Sequence, residues 1–90
     1  MITRKLTFHA DPAHGWLEVS LEDVKLLGIE KMISDYSYTQ GDRAYLEEDV
    51  DAGIYIETAR ASGWTIYINE KYTDRDSFIR ALPRFEVTYA

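Results

Sequence analysis

A chain that alternates apolar and polar residues one by one is committed to half-buried strands, because successive side chains on a strand point to opposite faces. Residues 2–10 follow that rule: Ile2, Leu6, Phe8 and Ala10 fall on one face, and Thr3, Lys5, Thr7 and His9 on the other. Asp11-Pro12-Ala13-His14-Gly15 then reads as a turn, since proline fixes one torsion and glycine permits positive φ. Trp16 to Val19 resumes the strand, which predicts a hairpin. A second hairpin is expected from residues 36–39 and 43–47 around Gln40-Gly41-Asp42. Trp64, Ile66 and Ile68 alternate with Thr65, Tyr67 and Asn69 as a fifth strand. Phe85, Val87 and Tyr89 alternate as a last one, expected at an edge or beside the fifth.

Between the strands the period changes. Ser20 is placed to cap a helix, with Asp23 three residues on as in a capping box. Leu21, Val24 and Leu27 share its inner face, and Gly28 closes it. A longer helix is expected over residues 50–62, with acids ahead of it, Gly63 after it, and Ala52, Tyr55, Ile56 and Ala59 inward. Gly53 inside it costs about 1 kcal/mol against alanine. Thr73-Asp74-Arg75-Asp76 offers caps for a short helix bearing Phe78, Ile79 and Leu82, which Pro83 stops. The order ββ-α-ββ-α-β-(α)-β predicts an α+β fold: a small, mainly antiparallel sheet with two or three short helices packed on one face.

Ninety residues make one domain, residues 1–90, with a modest core. The absence of cysteine removes disulfides and thiolate metal sites and suits a reducing cytoplasm. No apolar run reaches the length of about 18 that a membrane helix needs. The net charge of −6 repels phosphate backbones and favours a basic protein surface as partner. The same charge serves solubility.

Three groups can carry function. His9, Asp11 and His14 bring two imidazoles and a carboxylate within six residues, enough in principle for a metal or for acid–base chemistry, although the spacing fits no standard zinc motif. Turn chemistry explains the same residues. No nucleophile elbow or phosphate-binding glycine loop accompanies them, so no cofactor is implied. The second group is the acidic run Asp42, Glu47, Glu48, Asp49 and Asp51, with Arg43 the single base among them. Its spacing is not that of a calcium loop, and it also suits a helix N-terminus. The third is tyrosine, seven in all. Tyr36, Tyr38 and Tyr45 lie beside the acids, and tyrosine favours interfaces. Together these eight residues define an expected acidic, aromatic binding face. Arg75, Arg80 and Arg84 make a weaker basic patch for an acidic or nucleic-acid partner.

Three segments carry a resemblance: FHADPAHGWLEV at 8–19, ISDYSY and GDRAYLEED within 33–49, and SFIR with LPRF within 77–85. Together they resemble a group of short uncharacterised proteins encoded by bacteria, their phages and plasmids. The resemblance brings no catalytic residue. It implies a mobile-element context, in which small proteins bind and disable host complexes, defence systems included, in the manner of anti-CRISPR inhibitors. The leading expectation is therefore a non-enzymatic binding protein acting in a bacterial cytoplasm. The alternatives are an enzyme built on His9, Asp11 and His14, and a homo-oligomeric structural or regulatory domain.

Overall fold

The computed structural model describes residues 1–87. Strands β1 (Thr3–Ala10) and β2 (Gly15–Ser20) form the first hairpin, and helix α1 (Leu21–Leu26) follows. A 3-10 turn, Glu30–Met32, leads to β3 (Tyr38–Gln40) and β4 (Arg43–Glu47). Helix α2 (Asp51–Ala61), β5 (Thr65–Tyr72) and a second 3-10 turn, Phe78–Ala81, complete the chain. The five strands form one sheet in the order β3-β4-β2-β1-β5. Among the described residues no helix is long and apolar enough to cross a membrane.

The first turn forms as the sequence leads one to expect. Asp11 Oδ1 accepts from the backbone N–H groups of Ala13 (3.0 Å) and His14 (2.9 Å), an Asx-type arrangement. Gly15 is needed for a different reason. A Cβ there would run into the Phe8 ring across the hairpin. Gly15→Ala is expected to cost about 1–3 kcal/mol through overpacking, read as a lowered urea midpoint.

Ser20 Oγ accepts from the Asp23 N–H at 3.0 Å, so α1 is capped as expected. Its far end closes with Gly28 at φ +70 and the Ile29 N–H on the Val24 carbonyl, a Schellman closure. The Asp23 carboxylate takes up the Arg4 guanidinium (2.8 and 3.1 Å) and the Tyr55 hydroxyl (3.1 Å). Burial raises the Asp23 pKa, but these partners outweigh it and the net shift is downward. This cluster ties β1, α1 and α2 together beneath Trp64, whose ring centroid lies 5.2 Å from the Arg4 guanidinium.

Both α helices pack on one face, over a core of Leu6, Leu17, Val19, Ala44 and Leu46 from the sheet, Val24 from α1, and Ala52, Tyr55 and Ala59 from α2. Three of the four strand pairs are antiparallel. The fourth, β1 with β5, is parallel, from Thr3↔Thr65 to Ala10↔Tyr72. Because β4 and β5 run the same way with β2 and β1 between them, α2 serves as a crossover spanning two strands.

Two expectations change in the C-terminal region. The Phe78–Ala81 turn is capped by Ser77 rather than by residues 73–76. It packs on the opposite sheet face from α1 and α2, where Ile79 joins Trp16 and Tyr45. Among the described residues, the expected last strand is a single bridge, Tyr38↔Arg84. The chain there follows β3 at the far edge from β5, with the Thr39 N–H on the Pro83 carbonyl and the Phe85 N–H on the Ser37 carbonyl. Phe85 is drawn into the main core, which fixes that path. Tyr89 lies outside the described residues.

Candidate functional site: an aromatic cleft between two arginines

The alternation Trp16-Leu17-Glu18-Val19 sends Leu17 and Val19 into the main core and Trp16 and Glu18 to the other face. Trp16 there meets Tyr38 of β3 edge to face, with centroids 6.2 Å apart. The Arg80 guanidinium lies 5.4 Å from the Trp16 ring, and that of Arg84 lies 5.0 Å from the Tyr38 ring. The result is a row of four: Arg80, Trp16, Tyr38, Arg84. Each contact is a cation–π or edge-to-face attraction.

Asp11 anchors one end of the row. Its side chain is fully buried. Oδ2 accepts from Arg80 Nε (2.7 Å) and the Ser77 N–H (3.0 Å), and Oδ1 takes Arg80 Nη2 (3.0 Å) besides its two turn bonds. The Arg80 guanidinium, helped by the three backbone N–H groups, holds the Asp11 carboxyl far below the usual carboxylate range. Arg84 Nη1 donates to the Asp35 carbonyl at 3.0 Å at the other end.

A cleft of about 510 Å³ opens over this row. Trp16, Tyr38, Arg80 and Arg84 line it together with Tyr36, Glu47, Asp49, Val50, His14 and Gly15. Tyr36 stands 69% exposed. A groove of about 720 Å³ lies elsewhere, between α1 and residues 83–87.

The acidic run divides. Asp42 sits in the β3–β4 turn, about 16 Å along β4 from Glu47. Glu47 faces the cleft, but its carboxylate accepts from the N–H groups of Asp49 (2.9 Å), Val50 (2.9 Å) and Asp51 (3.5 Å) and so caps the entry to α2. Burial pushes the Glu47 pKa up and these three donors bring it down, with a net lowering. Asp51 is buried, and its Oδ2 accepts from the Ser34 N–H (3.0 Å), Ser34 Oγ (2.7 Å) and Ser37 Oγ (2.6 Å). Glu48 and Asp49 are exposed beside the cleft. Tyr45 is buried in the second cluster rather than displayed.

The His9, Asp11 and His14 side chains go three ways. His9 Nε2 pairs with Glu18 Oε1 at 2.8 Å, between the Tyr45 and Phe78 rings. Glu18 also takes Arg43 Nε at 2.9 Å. Its burial is outweighed by these two partners, which lower its pKa. Asp11 is filled by its five donors. His14 lies over Trp16, 3.8 Å from Glu48. The described residues contain no group of three or more His, Cys, Asp or Glu able to hold a metal ion.

The site thus keeps Tyr36, Tyr38, Glu47 and Asp49 from the expected face and adds Trp16, Arg80, Arg84 and His14. Trp16 carries a signal of its own: a tryptophan on the polar face of an alternating strand needs a cover. Fold and cleft together define a small α+β protein with an acid-flanked aromatic cleft on the sheet face opposite its helices. The chain matches no known family model, no curated protein and no solved structure.

Proposed function

We propose that this chain is a small binding protein without catalytic activity, which seats a lysine or arginine of a host protein against Tyr36 and the neighbouring acids. The observation that carries the reading is the cleft itself. Its tryptophan and Tyr38 already receive guanidinium groups from within the chain, while Tyr36, which lines the cleft with Asp49, is open. An exposed aromatic face next to carboxylates is chemistry that binds cations. The net charge of −6 steers a basic surface toward it. The resemblance to short mobile-element proteins supports a host complex as target, a bacterial defence system in the manner of an anti-CRISPR inhibitor, met in the host cytoplasm.

Immobilised protein presented with bacterial lysate at moderate salt identifies the partner, and purified partner then gives affinities. Tyr36→Ala and Asp49→Lys are each expected to weaken binding at least about tenfold, the scale of a central interface residue. Thermal melting should stay near wild type, because Tyr36 and Asp49 are exposed. Glu47 is left alone, since its carboxylate caps α2. Unchanged affinity in both variants would overturn this face.

A further inference from the structure

We propose that β5 is a self-pairing edge, through which two copies of the chain join antiparallel about a twofold axis at Asn69 and continue one sheet across both. The two sheet edges are treated differently. Backbone groups of residues 83–85 cover β3. Along the outer side of β5, no strand pairs among the described residues. At eight residues it is long for an edge, and it contains no proline.

The phase of its hydrogen bonds is fixed. The Thr65 N–H donates to the Ile2 carbonyl and the Thr73 N–H to the Ala10 carbonyl, so odd-numbered residues turn their backbone groups toward β1. Ile66, Ile68, Glu70 and Tyr72 therefore aim theirs outward. A long contact from Arg60 Nη2 to the Ile66 carbonyl, 3.5 Å, arrives from that open side. Tyr67, Ile68 and Tyr72 are 58%, 43% and 59% exposed, which leaves apolar surface on both faces of the strand.

A second copy fits this edge in one register. A twofold axis perpendicular to the sheet pairs even residues with even ones. Centred on Asn69, it sets Ile66 against Tyr72 of the other copy and Ile68 against Glu70. All four outward residues are used, with roughly eight backbone hydrogen bonds. Tyr67 then faces Lys71 of the other copy, a cation–π pairing. Centring on Glu70 would oppose two like charges. Centring on Ile68 would place Tyr72 against Trp64, which precedes the strand. The net charge of −6 on each copy opposes association, so added salt should strengthen this contact. Salt weakens the binding of a basic partner, and the two proposals therefore stand or fall separately.

The chain has no cysteine, so Asn69→Cys gives a single thiol. At the axis the two Cα atoms of a non-hydrogen-bonded pair lie about 4.5 Å apart, within disulfide reach. Under mild oxidation this variant should cross-link at least about tenfold faster than a Glu57→Cys control on the exposed side of α2. Adding Ile68→Pro, which removes an outward N–H not used by β1, should abolish the excess. Ile68→Lys, which keeps that N–H and adds charge, should do the same with an unchanged far-ultraviolet spectrum. Sedimentation of the wild type should show a dimer that grows with salt. Cross-linking no faster than the control, with a strict monomer at the highest attainable concentration, overturns the proposal. A β5 that takes only strands of a different protein gives that same result.

Discussion

Asp11→Ala is expected to cost about 3–4 kcal/mol, the largest loss of any exchange outside the main core. The side chain is buried without exposed area and gathers five donors: three backbone N–H groups and two from Arg80. Alanine removes the acceptor of all five and leaves the buried Ser77 N–H without it. The Phe78–Ala81 turn then loses its tether to the first hairpin, and with it the cover over Trp16 and Tyr45. Urea unfolding followed by tryptophan fluorescence reads both effects, since Trp16 should become more solvated before global unfolding. Asp11→Asn keeps part of the acceptor set and should fall between. The carboxyl is more acidic in the folded chain than in the unfolded one. Its contribution is full above the ordinary aspartate value of about 3.9 and is lost as pH falls below that toward the folded value. The wild-type urea midpoint should therefore decline on acidification below about pH 4, and the Asp11→Asn midpoint should decline less steeply. Equal slopes would contradict this account.

Asp51→Ala is expected to cost about 2–3 kcal/mol and to weaken partner binding as well. Its Oδ2 holds Ser34 through backbone and hydroxyl and Ser37 through its hydroxyl. Those two serines pin both sides of Tyr36. Without the carboxylate the loop keeps its sequence and loses its shape, and the exposed ring is no longer presented toward the cleft. Amide hydrogen exchange at residues 34–37 should rise well above the rise at β1 or β2. Asp51→Asn retains one acceptor oxygen and should lose about 1 kcal/mol. A variant that exchanges uniformly faster would show a global effect and no local one.

Local signals were legible in the sequence where the physics is local. The Asp11-Pro12 turn, the Ser20 cap, the Gly28 and Gly63 closures and the inner face of α2 all follow from neighbours in the chain. What was not legible depends on partners far away. Nothing in Thr65-Ile66-Tyr67-Ile68 says that the strand lies parallel to residues 3–10 rather than antiparallel to a neighbour. Asp11 and Arg80 are separated by 69 positions, so a turn aspartate gave no hint of its second role. The acidic run divides for a nearer reason. Asp42 lies in the turn ahead of β4, at the far end from Glu47, and Tyr45 is covered by the Phe78–Ala81 turn. Glu47 and Asp51 became backbone and hydroxyl acceptors at the start of α2.

The parallel pairing of β1 with β5 also governs when the protein can form during synthesis. β1 is made long before β5, so one of its two flanks stays open until residue 72 has been made. Closing so large a loop is entropically costly, and contacts of this separation slow folding. Until β5 is made, β3, β4, β2 and β1 can pair only as a four-stranded sheet with the outer flank of β1 unpaired. Completion of the sheet is thereby coupled to the synthesis of β5, and a copy cut short before it is left without a finished sheet.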